Sequence, residues 1–232
     1  MREEDIAVIR RLSLFEELAD DSFEAILQAA YLQRFPAQVR LIREGDPSDF
    51  AYVVVEGCVA MAASHAGRET TITLVRPVAA FILAAVLTDT PYLMSARTTE
   101  PSRILMIPAA DIRAVFSRDA AFARAIVTET SWAYRTMVKT LKDHKLRNGT
   151  ERLAAYLLRL QRDSGGGEEV CLPVDKRSVA ALLGMTPENL SRAFSALAVH
   201  GVEVSRRSIR IVDREALAAL AKPTALIDDP RY

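Results

Sequence analysis

The spacing of apolar residues changes along the chain, and each change marks a new kind of element. Between Leu14 and Leu32, the residues Leu18, Phe23, Ile26, Leu27 and Ala30 recur at helical spacing, which predicts a helix. From Tyr31 to Pro108 the pattern becomes short apolar runs: RLIREG, AYVVVEG, CVAMAAS, TTITLV and RILMIP. Gly, Pro, Asp and Ser separate them, and REGDPSDF and SHAGRE carry the chemistry of tight turns. Short strands at this spacing predict a small β-roll or barrel. From Asp111 to His144 there is neither proline nor glycine, so a helix longer than the usual globular length is expected. Phe122, Ile126, Ala133, Met137 and Leu141 share one stripe of it. Such a stripe is buried against a second helix or against the chain's own β domain, and a long helix has faces for both.

Arg147, Asn148, Gly149 and Thr150 read as a hinge, with Thr150 capping a helix that carries Leu153, Ala154, Leu157, Leu158 and Leu160. RDSGGGEE is a loop and CLPV a short strand. Asp175 begins a helix with Val179, Leu182 and Leu183 inside, and Gly184 ends it. Thr186 then caps a second helix with Pro187 at its first position and Leu190, Phe194 and Leu197 inward. The β-runs VEVS and SIRIV follow, joined by Arg206 and Arg207, before a last helix, DREALAALA. Helix, glycine turn, helix and β-hairpin make a winged helix-turn-helix in outline. The fold class is α+β, with three expected parts. These are a β-roll with its leading helix over 1–110, a long helix over 111–146 and a winged helix-turn-helix over 147–232.

In that geometry the first turns of the second helix meet base edges in the major groove. Glu188, Ser191 and Arg192 occupy those turns and project from one side. Arg can donate two hydrogen bonds to guanine O6 and N7, Glu can accept from cytosine N4, and Ser can meet an edge or a thymine methyl. A plain exposed helix face with one ion pair would explain the same three residues, at about 0.3–0.5 kcal/mol. The neighbouring charge favours DNA. From Val174 to Arg214 there are seven Lys or Arg (176, 177, 192, 206, 207, 210, 214) against four Asp or Glu (175, 188, 203, 213). Lys176, Arg177, Ser178, Thr186, Asn189, Arg206 and Arg207 are the residues expected along the DNA backbone.

Composition narrows the remaining classes. The chain has 232 residues, enough for one large or two modest domains. Lys plus Arg equals Asp plus Glu at 30 each, so nucleic-acid binding must come from a local basic face. Cys58 and Cys171 stand far apart and supply neither a disulfide framework nor a cysteine-rich metal site. The start, MREEDIAVIRR, is charged throughout and unlike a signal peptide. The apolar run from Pro77 to Leu87 is too short to span a bilayer. A cytoplasmic protein without membrane attachment is expected. No GxGxxG, P-loop, HExxH or GxSxG occurs, and the three histidines share no motif with the cysteines, which argues against an enzyme.

The whole chain resembles the CRP/FNR family of bacterial transcription regulators. LSLFEELADDSFEAI is similar to the family's opening helix. REGDPSDFAYVVVEGCVAM resembles its cyclic-nucleotide-binding-like β-roll, with Gly45 and Gly57 at turns. SVAALLGMTPENLSRAFSALAVHGV resembles its helix-turn-helix, and the long helix resembles its dimerisation helix. The resemblance implies a homodimer on double-stranded DNA, reading a palindrome and contacting RNA polymerase as an activator. Glu188, Ser191 and Arg192 match the E-x-x-S-R form of the FNR branch, which implies half-sites like TTGAT.

Three effectors follow from the family. Cyclic AMP requires a Gly-Glu pair and a later Arg-Ser/Thr motif. The stretch PVAAFILAAVLTDTPYLMSAR has no Gly-Glu, and no arginine precedes Ser95, so cyclic AMP is not expected. An iron–sulfur cluster needs about four cysteines, and two are present. LTDTPYLMSARTTEPSRILMIP resembles the nitric-oxide-responsive NnrR/DNR branch, which implies control of anaerobic or nitrogen-oxide genes and haem as the cofactor. The greasy residues in and just before this stretch, Phe81, Leu83, Leu87, Tyr92 and Met94, are effector-pocket candidates, although the residues alone favour plain β-roll and interdomain core. His65, His144 and His200 are unmarked by spacing, and no axial ligand or metal site is assigned. A small organic ligand, or no effector at all, remains an alternative. So does a β-roll interaction module that does not bind DNA, against which the intact Glu188, Ser191 and Arg192 set argues.

Overall fold

The computed structural model describes residues 3–77 and 79–230. They form two compact units, 1–133 and 134–232. The first opens with α1 (Glu3–Arg10) and α2 (Asp20–Ala29). Eight strands follow: β1 (Tyr31–Phe35), β2 (Arg40–Ile42), β3 (Phe50–Glu56), β4 (Val59–His65), β5 (Arg68–Val75), β6 (Ala79–Phe81), β7 (Ser95–Thr98) and β8 (Ser102–Pro108). A short α3 (Leu83–Thr88) interrupts them, and α4 (Ala109–Arg118) and α5 (Ala120–Leu146) come after. The strands pair antiparallel in two sheets, ordered β1-β8-β3-β6 and β2-β7-β4-β5.

β3 explains why its sequence reads as an unbroken apolar run. Ala51, Val53 and Val55 face a core shared with the helices, while Tyr52 and Val54 face a second core inside the roll. β8 divides its residues the same way, with Leu105 and Ile107 outward and Ile104 inward. A central strand covered on both faces has no polar side to alternate with. At the β3–β4 turn, Gly57 has φ +90°, and a Cβ there would lie 2.7 Å from the Pro101 carbonyl oxygen. No other residue fits that close approach.

Two helix expectations are corrected. Residues 14–18 form turns, and α2 begins only at Asp20. The Arg10 guanidinium donates to the Phe15 and Leu18 carbonyls, so those acceptors are satisfied across the chain rather than by a continuing helix. The single helix expected over 111–146 is two helices. Asp119, buried and extended, separates them, and its carboxylate accepts from the Ala121 and Phe122 amides at the start of α5. It also accepts from the Ala19 amide. The break thus rests on a capping aspartate rather than on proline or glycine.

The second unit contains the end of α5 and then α6 (Gly149–Asp163), β9 (Glu169–Cys171), α7 (Lys176–Leu182) and α8 (Pro187–Leu197). A 3-10 turn over Ala198–His200 leads to β10 (Val202–Ser205), β11 (Ser208–Ile211), α9 (Arg214–Ala221) and a single turn, α10 (Ala225–Asp228). The sheet order is β10-β11-β9. β9 therefore precedes most of the CLPV run expected as strand. The cap of α6 is Asn148, not Thr150. Its side chain accepts from the Glu151 amide while the Glu151 carboxylate accepts from the Asn148 amide, a reciprocal capping box.

Candidate nucleic-acid interface

α7 and α8 meet at Gly184, which has φ +61°. Arg152 of α6 braces this turn by donating from Nε to the Leu183 carbonyl at 2.9 Å. Sequence reading missed Arg152, because nothing in its spacing marks a partner so far along the chain. Thr186 starts α8 with its hydroxyl oxygen accepting from the Asn189 amide at 3.2 Å. Leu190, Ala193, Phe194 and Leu197 are buried, so the helix seats itself by one face. The opposite face is decided by that burial: Glu188, Ser191 and Arg192 are all exposed.

The electrostatics of this face are set locally. The Glu188 carboxyl is held below the usual carboxylate range, first by its own backbone amide at the helix start, then by the Thr186 hydroxyl and the Arg192 charge. Arg192 forms no hydrogen bond or close ion pair among the described residues, so its fork of donors is open to an incoming acceptor. Thr186 caps α8, as expected, and also holds Glu188.

The other expected backbone contacts divide. Lys176 and Arg177 are exposed in the first turn of α7. The Lys176 ammonium lies 5.4 Å from the centre of the Phe194 ring, which ties it to α8. Ser178 is half-buried and its amide donates to Asp175 at 2.7 Å. Asn189 is exposed, and so is Arg206, which stands at the tip of the β10–β11 wing with φ +53°. Arg207 is exposed but donates to the Leu172 carbonyl at 3.0 Å, fixing the wing to the chain after β9. Arg210 is neutralised between Glu169, at 2.7 Å, and Glu203, at 3.6 Å. Lys176 and Arg177 on α7, Arg192 on α8 and Arg206 at the wing tip therefore remain exposed positive charges, whereas Arg210 is paired.

The two other predicted sets are each split by packing. Phe122 and Ile126 are fully buried in the first unit, where the Phe122 ring stacks on Phe15 with centroids 6.2 Å apart. They are core, not dimer surface. Ala133, Met137 and Leu141 are exposed on α5. Val127, Tyr134 and Leu141 follow one another at seven-residue steps and are also exposed, with Met137 between them.

Of the effector candidates, Leu83 and Leu87 pack into the outer core. Phe81, Tyr92 and Met94 pack into the inner one. Phe81 stacks on Tyr52 at 5.4 Å, and Tyr92 spends its hydroxyl proton on the Phe50 carbonyl at 2.7 Å. Burial holds both phenols above their ordinary range. The five residues are thus divided between two packed cores. Haem would need an axial ligand; Tyr92 has its hydroxyl committed to the Phe50 carbonyl and the five side chains are shared between two cores, so this set as packed does not form a haem site.

A helix presented for a groove, a capped turn behind it and a two-stranded wing beside it define a winged helix-turn-helix DNA-binding module. The known proteins agree. Residues 151–220 match the Crp-like helix-turn-helix domain, and residues 32–119 match the cyclic nucleotide-binding domain. A solved protein of Silicibacter pomeroyi DSS-3, provisionally described as a cAMP-binding regulatory protein, is 30% identical with a TM-score of 0.62. The match covers 96% of this chain and 100% of that one. The CRP-like cAMP-activated global transcriptional regulator of Mycobacterium tuberculosis is 22% identical over 93% of this chain and 99% of its own. The nitrogen fixation regulation protein FixK of Rhizobium meliloti is 38% identical over 72 residues, 30% of this chain and 34% of its own. The chain belongs to the CRP/FNR family of DNA-binding transcription regulators, which act as dimers and are not enzymes. Among the described residues no helix is long and apolar enough to cross a membrane, and no cluster of three or more His, Cys, Asp or Glu could hold a metal ion.

Proposed function

We propose that this regulator reads an FNR-type palindrome with TTGAT-like half-sites and controls genes of anaerobic or nitrogen-oxide metabolism. The observation that carries the reading is Arg192, exposed beside Glu188 and Ser191 on the free face of α8. Arg192 donates to guanine O6 and N7. Glu188, kept ionised by the helix start, accepts from cytosine N4 and steadies the guanidinium, and Ser191 meets the next edge. Lys176, Arg177 and Arg206 neutralise phosphates and set the register. The nitrogen-related half of the reading is supported by the E-x-x-S-R set and by the likeness to a protein named for nitrogen fixation regulation. RNA polymerase is the partner through which bound protein activates.

The test is fluorescence anisotropy of full-length protein on a TTGAT palindrome, a TGTGA palindrome and a scrambled duplex, at stated salt. Preference for the first is expected; equal binding to all three overturns the reading.

A second reading concerns the signal. The stacking of Phe81 on Tyr52 and the committed Tyr92 hydroxyl support a roll filled by its own side chains. On that reading the protein binds DNA without a cyclic nucleotide, and either a small organic ligand or its own abundance controls it. No step is routed through haem.

A further inference from the structure

The polypeptide beyond α9 does not trail away. Lys222 ends α9 in a left-handed conformation at φ +48°, and the chain turns back toward the end of α5. There Asp228 meets Arg147, the last residue before the Asn148 cap of α6. The Arg147 side chain is only 6% exposed, with Asp143 at 8% and Asp228 at 11%. Arg147 donates to Asp143 at 2.9 Å, to Asp228 at 2.6 Å and to the Lys222 carbonyl at 3.1 Å. Arg159 of α6 reaches the same two carboxylates, at 2.8 Å from Asp228 and 3.5 Å from Asp143. The Thr224 amide also donates to Asp228. Two α5 lysines grip the returning backbone: Lys139 donates to the Asp229 carbonyl at 2.6 Å and Lys142 to the Leu226 carbonyl at 3.3 Å. Arg162 holds the Asp228 carbonyl at 3.0 Å.

The segment is fastened by charge and hydrogen bonds. α10 has no buried residue, and Leu226 is half exposed. The module's apolar core is made by other residues, among them Leu153, Leu157, Leu197, Ile209 and Leu217. A strap held this way can let go without dissolving the fold beneath it. A buried arginine, in contrast, cannot lose its carboxylates cheaply, so the closed arrangement is strongly defined.

We propose that residues 222–229 form a clasp that welds the DNA-binding module to the last turns of α5 and closes the Arg147–Asn148 junction. That junction has the composition of a hinge, and the clasp spans it: Lys139, Lys142 and Asp143 lie before it, Arg159 and Arg162 after it. While the clasp is engaged, the module moves with the end of α5 as one body. Releasing it frees the module to turn. The inference does not depend on which DNA sequence is read.

The test is hydrogen–deuterium exchange on full-length protein without DNA, comparing wild type, Asp228→Asn and the Lys139→Ala/Lys142→Ala pair. Exchange at residues 147–152 is expected to rise at least tenfold in Asp228→Asn and by a smaller factor in the lysine pair, while α8 and β11 stay protected. If Asp228→Asn unfolds the module, the lysine pair decides, and acceleration confined to the junction supports the clasp. Unchanged junction exchange in the lysine pair and in a folded Asp228→Asn protein overturns it. So does a rise that α8 and β11 share equally in the lysine pair.

Discussion

The imidazole of His144, in the last turn of α5, fills the space that a side chain at Gly184 would need. A Cβ on Gly184 would fall 2.8 Å from His144 Cε1 and 2.9 Å from Nδ1. The glycine also sits at φ +61°, where other residues are strained. Gly184→Ala is therefore expected to cost the second unit about 1–3 kcal/mol in denaturant unfolding. Adding His144→Ala should return the steric part and leave the backbone part. No recovery in the double variant would mean that the imidazole is not the obstacle.

Arg192→Ala is expected to remove about 1–3 kcal/mol of base discrimination per half-site, since the exposed guanidinium packs into no core that its loss would disturb. The measurement is anisotropy on the palindrome against a scrambled duplex, with sedimentation to show that the dimer persists. Dimer dissociation would contradict the assigned role. Thr186→Ala should also weaken specific binding, but through a frayed α8 start, costing about 0.5–2 kcal/mol of stability.

The two halves of the α5 stripe should behave oppositely. Phe122→Ala removes a fully buried ring that stacks on Phe15 and is expected to cost about 3–5 kcal/mol of stability in the first unit. Met137→Glu with Leu141→Glu places charge on an exposed apolar strip. That pair should leave circular dichroism intact and shift the protein to monomer in sedimentation. A monomeric Phe122→Ala protein of normal stability would reverse the assignment.

Acid should weaken the second unit through Asp228. Burial works to raise its carboxyl, but the hydrogen bonds and charges of Arg147 and Arg159, with the Thr224 amide, outweigh this and hold it below its ordinary 3.8. Its folded-state value is therefore depressed relative to the unfolded chain. The stability it contributes is present above the ordinary value and is lost as pH falls through the depressed one. Unfolding midpoints of wild type should drop more steeply below about pH 4 than those of Asp228→Asn, which has no carboxyl to titrate at that position. Parallel slopes would show that Asp228 is not a linked group.

The helix-turn-helix was legible because every signal there is local. Thr186, Pro187 and the stripe Leu190, Phe194 and Leu197 fix the start of α8 and its buried face, and that face leaves Glu188, Ser191 and Arg192 outside. Misplaced features depended on groups distant in sequence. The early apolar stripe does not stay helical because Arg10 takes the Phe15 and Leu18 carbonyls, and the long stripe breaks at Asp119, which carries no breaker signature.

The sequence by itself determined the winged module and which residues α8 leaves on its exposed face, since helix period, the Thr186 cap and the Gly184 turn act within a few residues. Tertiary structure alone decided which apolar residues were spare. Phe122 and Met137 lie on one stripe, yet Phe122 finds Phe15 and Met137 stays exposed. Phe81 and Leu83 are two residues apart, yet they enter different cores because the roll has two insides to fill. Arg147 reads as part of a hinge until Asp228, eighty-one residues later, closes on it. A charge or an apolar side chain is assigned its role by whatever reaches it first in space, and that meeting is not written in spacing along the chain.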